Sequence, residues 1–489
     1  MKSWWPLVFV LGCGSEAPRA THATTQATAE PLELAVAEVA AASGEGLGGR
    51  LRVRGGERFA LVLMSASLAH GEASYRVAPP ADGAALQRVN GCALGDKLAS
   101  KAKPTPPAPQ AKESALRAGD RKTFTMRFGD GHRAVPARVV AVGDATVVWA
   151  DVSEEHPAEL DAAFVSEFLE DFERIILRRG RQVFGVESDV DGDGRIALLF
   201  SPLTYRAAVA FFSACDLRPT CKGSNAAEVL YLTPPNAIPP PYNTPRAIKE
   251  ILAHELEHLL HHRHKVLDND LAADPDSAYM LEGFGALAQD VTGLQAGNLY
   301  VTKAGLDQID AVSLADVMRE SVEYDRERDG PLRGGAYLFV RWLYDRAGGD
   351  TAGPDGAIED RGGPSLVRSL LADRRSIASS LAARVPSDDL VTGFYPALVL
   401  PAGKGCAAFG ATAKDPITGR QRGADPFASF HGMAMQGAAM TPVERADGRL
   451  LLGGAEYLLL EAKEAGVLAF GVQVEAASAQ AQLHVVRIE

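Results

Sequence analysis

The segment EILAHELEHLLHHRHK, residues 250–265, places five of the chain's eleven histidines within eleven positions. His254, Glu255 and His258 form the pattern H-E-x-x-H. On a helix, residues four apart lie about 5–6 Å from each other at Cβ and share a face, so two imidazoles can converge on one ion. Glu255, the next residue along, can reach a metal-bound water without ligating the metal. Catalytic zinc takes three protein ligands and keeps a fourth position open. Glu282, 24 residues after His258, is the carboxylate expected to complete the set. The chemistry is metal-assisted hydrolysis, with zinc as the cofactor and Glu255 as the general base. His264, six residues past His258, mimics a third histidine ligand, but no Gly lies between them to turn the chain back. His261, His262 and His264 therefore read as solvated charges near the negative end of a helix dipole.

The elements around these residues must hold them. Thr244 as N-cap and Pro245 at the first helical position start a helix whose apolar stripe is Ile248, Ile251, Leu252, Leu256 and Leu259. A second helix, with Asp276 as its N-cap candidate and Gly293 as its stop, carries Glu282. Upstream, Leu160, Phe164, Phe168, Phe172 and Ile175 recur at helical spacing, with Gly180 as the expected stop. The stretch DVDGDG then leads into a buried strand over 196–200. In it Asp189, Asp191, Asp193 and Gly194 match positions 1, 3, 5 and 6 of a calcium loop, so calcium is the ion this cluster would take. Phe200 stands at position 12, where an EF-hand has Glu, and a strand follows instead of a helix.

A chain of 489 residues predicts two to four domains. Its net charge of −12 argues against nucleic acid as a partner, because phosphate binding needs clustered Lys and Arg. Residues 1–12 read as a lipoprotein signal peptide. Cys13, in VLGC, is the residue that would carry lipid, which predicts an exported protein anchored to a membrane. Four cysteines remain. Cys215 and Cys221, six apart, are expected to close a small loop, and the pairing of Cys92 and Cys406 is left open. Composition divides the rest into a tether over 13–46, an N-terminal β domain over 47–99 and a Pro/Ala/Lys linker over 100–120. A catalytic domain over 121–400 and a C-terminal β module over 425–489 follow. The fold class is α+β.

The runs FGVESDVDGDGRIALLF, FFSACDLRPTCKGSNAAEVLYL, ILAHELEHLL, LEGFGALAQD and GGAYLFVRWLYDRAGG resemble the hyicolysin-type neutral metallopeptidases, a zinc family of the gluzincin kind. The resemblance covers roughly residues 120–400. It implies a thermolysin-like architecture and secreted endopeptidase activity on peptide or protein substrates. Carried over by position, it makes His254, His258 and Glu282 zinc ligands and Glu255 the catalytic base. The family's second oxyanion donor is a Tyr or His some tens of residues beyond the Glu ligand. Tyr337 is the first candidate here and Tyr324 the second. Where many gluzincins place an orienting Asp, this chain has Ala286, so support for the ligands must come from elsewhere. The alternative is a non-catalytic exported lipoprotein that binds partners or calcium and has a structural or degenerate zinc site. A metal closed off by a fourth side chain such as His261 would favour it.

Overall fold

In this computed structural model the described residues are 30–43, 46–99, 106–110, 116–128, 131–155, 157–240, 242–269, 276–295, 298–319, 328–430 and 433–489. The signal segment, Cys13, Tyr324 and parts of the linker over 100–120 lie outside them. Among the described residues no helix is long and apolar enough to cross a membrane.

The first strands are β1 (Val39–Ser43), β2 (Leu47–Val53), β3 (Arg58–Ser65), β4 (Glu72–Ala78) and β5 (Ala85–Arg88), followed by the short helix α1 (Ala93–Leu98). They do not form a domain of their own. β3 pairs antiparallel on one side with Ala455–Glu461 and on the other with Ala481–Arg487, and β2 and β4 flank Gly466–Val474. The two stretches expected to be separate β domains are one sandwich of a six-stranded and a four-stranded sheet. The apolar run of β3 explains why. Phe59, Leu61 and Leu63 face the sandwich core, while Ala60, Val62 and Met64 face the helical body, so every second residue would be exposed without a partner on each side. Cys92 and Cys406, with Cα atoms 4.9 Å apart, bridge the residue before α1 to the segment that follows the helix Ser387–Ala397.

A second six-stranded sheet follows from β6 (Arg121–Phe128), β7 (Gly131–Val142), β8 (Thr146–Asp151), β9 (Ile196–Phe200), β10 (Ala210–Phe212) and β11 (Val229–Leu232). Its order is β10-β11-β9-β8-β7-β6, with β8, β9 and β11 parallel and β10 antiparallel at one edge. The helix expected to stop at Gly180 continues through α2 (Ala162–Asp171) and α3 (Arg178–Phe184) to Gly185, whose φ of 102° ends it. Gly180 has a different use. A Cβ there would sit 3.0 Å from Leu256 Cδ2, so its absence lets α3 approach the histidine helix.

That helix is α4 (Pro245–His261), capped by Thr244 Oγ1 accepting from the Ala247 amide at 3.2 Å. Beyond it come α5 (Ala278–Val291), α6 (Asn298–Asp307), α7 (Leu314–Met318) and α8 (Asp329–Arg346), then Gly363–Leu371, Ile377–Ala382 and Ser387–Ala397. The cap of α5 is Ser277 rather than Asp276, with Ser277 Oγ accepting from the Met280 amide. α6 and α8 meet through Gly305, Gly334 and Gly335, and a Cβ at Gly334 would overlap the Val301 carbonyl. The architecture is α+β: a mixed sheet beside a helical body, with a sandwich built from both ends of the chain.

Glu456 marks where the sandwich meets this body. Burial, with Asp310 adding repulsion and a Tyr75 hydrogen bond opposing it, pushes its carboxyl up from 4.5 to about 7. A carboxyl raised in the folded state binds more protons there than in the unfolded chain, so its cost is absent below pH 4.5, grows as pH rises from 4.5 to about 7, and is fully present above that. Glu456→Gln should therefore raise the melting temperature at pH 8 but not at pH 4.5. Allowing for partial exposure, the gain is about 1–2 kcal/mol, and thermal melts across that range check it.

Candidate metal centre

α4 turns its apolar stripe, including the fully buried Ile248, Leu252 and Leu259, toward the core. This leaves His254 and His258 on a half-buried face. Their rings stand edge to face with centroids 4.6 Å apart. Glu282 comes from the first half of α5, and ligand atoms of His254, His258 and Glu282 all lie within 4.8 Å of one another. Two imidazoles and a carboxylate are a donor set that can hold a metal ion. Glu282 Oε2 is 3.3 Å from His254 Nε2 and is also met by the Arg333 guanidinium. Although burial opposes it, the His254 hydrogen bond and these positive charges hold the Glu282 carboxyl down at about 2, so it stays anionic.

Glu255 is held beside the trio without joining it. The Phe212 amide, on edge strand β10, donates to its Oε2 at 3.1 Å. Burial pushes this carboxyl up, and His258 and His254 partly oppose the shift. A buried carboxylate that keeps one backbone donor can still accept a proton.

Two features of the site were not legible beforehand. One is Gly285. A Cβ there would fall 2.6–2.8 Å from three atoms of the His254 ring, so its absence lets α5 lie close enough to bring Glu282 in. The signal was present in L-E-G-F-G, where two glycines interrupt a helix that otherwise gains from larger residues. Gly285→Ala should displace the His254 ring and weaken metal binding about tenfold or more while the fold survives. Zinc titration against a competing chelator, with circular dichroism as the fold check, reads this out. The other feature is Arg333 on α8, one turn before Tyr337.

Tyr337 does not face the trio. It is fully buried, and its hydroxyl donates to Asp290 Oδ2 at 3.1 Å, two turns of α5 beyond Glu282. Burial and the Asp290 charge raise its pKa well above the usual phenol value. It belongs to an internal network with Arg341, whose guanidinium is 2.8 Å from Asp290. The oxyanion role expected for Tyr337 is corrected on this ground: its position on α8 points it into the core.

The later histidines also differ from expectation. His261 is buried, with Nδ1 3.2 Å from Glu257 Oε1 and Nε2 2.9 Å from Asp276 Oδ2. It therefore does not provide a fourth ligand. Burial pushes both His262 and His264 down to about 4, so they are neutral rather than solvated charges. The helix continues past His261 to Leu267 and packs back on the body, which is why this end is not exposed.

The Asp189, Asp191 and Asp193 carboxylates also converge within 4.8 Å, a cluster that could hold a cation. They already serve their own turn, accepting from the Gly194, Asp193 and Arg195 amides respectively at 2.7–3.2 Å. Cys215 and Cys221 are bridged, with Cα atoms 5.5 Å apart, in the loop that follows β10. No family model matches the chain, and no curated protein matches it. The functional reading therefore rests on the site's geometry.

Proposed function

We propose that the protein is an exported zinc metalloendopeptidase of the gluzincin kind, thermolysin-like in its catalytic domain and tethered to a membrane by lipid on Cys13. The observation that carries this reading is the convergence of His254, His258 and Glu282 within 4.8 Å while Glu255 sits alongside on its own backbone donor. Zinc bound to the trio supplies Lewis acidity and lowers the pKa of its water toward about 7. Glu255, held by the Phe212 amide, takes the proton of the attacking water and delivers it to the leaving amide nitrogen. Edge strand β10, which donates to Glu255 through Phe212, can accept an extended peptide as a further strand beside the base. Arg333, whose guanidinium meets Glu282, is the α8 side chain that would bring positive charge to the site in place of the hydroxyl expected from Tyr337.

The structural-zinc alternative needs a fourth protein ligand. His261 or another side chain could supply it, and both ring nitrogens of His261 are engaged by carboxylates. The test is peptide-library hydrolysis by the full chain before chelation, after chelation, and after zinc is restored. Cleavage that disappears and returns with zinc supports the peptidase. A zinc-loaded chain that cleaves nothing sinks it and leaves the binding-protein alternative.

A further inference from the structure

The support for His258 comes from inside the H-E-x-x-H segment itself. Glu257 is completely buried and uses both carboxylate oxygens: Oε2 is 3.0 Å from His258 Nδ1 and Oε1 is 3.2 Å from His261 Nδ1. His261 Nε2 reaches Asp276 Oδ2 at 2.9 Å, and Asp276 Oδ1 accepts the Ile377 amide at the start of the Ile377–Ala382 helix. The side chains of His261 and Asp276 are each 3% exposed. The chain of contacts thus runs unbroken, out of water, from a metal-binding imidazole on α4 to the N-termini of two other helices.

We propose that Glu257, His261 and Asp276 form a positioning relay that fixes the His258 ring with Nε2 toward the metal and keeps that imidazole electron-rich. The proposal rests on reading His254, His258 and Glu282 as a metal site, but not on peptide hydrolysis. With Nδ1 of His258 donating to Glu257, Nε2 is the one nitrogen left to ligate, so tautomer and ring rotation are set together. His261 lies between two carboxylates and donates from both nitrogens, as an imidazolium does. Two carboxylates against one imidazolium leave a net negative charge beside His258, which strengthens it as a donor to a dication. His261 also keeps Glu257 from turning to the metal. Ala286, one turn past Glu282, carries no polar group to orient a ligand, and the support for His258 comes from its own helix.

The experiment uses metal-free full chain and the variants Glu257→Gln, His261→Gln and Asp276→Asn. Zinc is titrated against a competing chelator, and cobalt is bound for its ligand-field absorption. We expect affinity to fall about tenfold to a hundredfold in Glu257→Gln and by progressively less in the other two, with a changed cobalt spectrum in Glu257→Gln and His261→Gln. A role confined to folding would lower the melting temperature without moving either metal readout. If the variants that keep the wild-type circular dichroism bind zinc with unchanged Kd and give an unchanged cobalt spectrum, the relay is overturned. Asp276 lies off α4, so its variant keeps the comparison available should a substitution on α4 prevent folding. A chain that binds metal in this graded way but cleaves no peptide sinks the peptidase reading and leaves the relay standing.

Discussion

Glu255→Gln is expected to retain about one zinc per chain while peptide hydrolysis falls by about 10²–10⁴-fold. The amide keeps the size of the side chain and can still meet the Phe212 amide through its oxygen, so the site should not rearrange. What disappears is the acceptor for the water's proton. Glu282→Gln should behave differently, losing metal and activity together, because it exchanges an anionic ligand for a neutral one. Metal content measured beside turnover separates the two variants. If Glu255→Gln cleaves peptides at the wild-type rate, Glu255 is not the base.

The second large effect is on stability. Arg179 and Asp415 form a 2.6 Å ion pair in which both side chains are fully buried. Arg179 also donates to the Thr292 carbonyl at 2.9 Å, at the C-terminal end of α5, while Asp415 accepts from the Ile417 and Thr418 amides. The pair thereby ties the loop over 413–422 to the helix that carries Glu282. Asp415→Ala would leave a guanidinium buried with no counter-charge at 2.6 Å, and should cost about 3–5 kcal/mol. The double replacement Arg179→Met with Asp415→Leu removes both charges and should recover much of that loss. Chemical denaturation of the three variants decides this, and a double variant no more stable than Asp415→Ala would overturn the account.

How much of this was legible depended on distance along the chain. The α4 cap at Thr244, its apolar stripe and the facing pair His254 and His258 follow from local periodicity, which a short window of sequence contains. Glu282 was reachable because α5 is itself strongly patterned. Tyr337 was misplaced because spacing gives a helix but not its rotation against neighbours: one turn separates Arg333, which meets Glu282, from Tyr337, which meets Asp290. His261 looked solvated because its second partner, Asp276, lies 15 residues further along the sequence, beyond what a local helical window reads. The sandwich was read as two domains because strand pairing leaves no local trace. β3 offers the same alternation whether its neighbours are near or, as here, some 400 residues away.

That last pairing has a consequence for how the protein is made. β3 leaves the ribosome as a nearly continuous apolar strand, RFALVLMS, yet both of its neighbours, Ala455–Glu461 and Ala481–Arg487, are translated some 400 residues later. At about 5–20 residues per second, β3 waits roughly 20–80 s for them. Through that interval it presents two unpaired edges and two sticky faces, the condition under which strands aggregate. Keeping a nascent chain of this topology from association until residues 455–487 arrive protects β3, and a ribosome that stalls before residue 455 releases a chain in which β3 has neither of these partners.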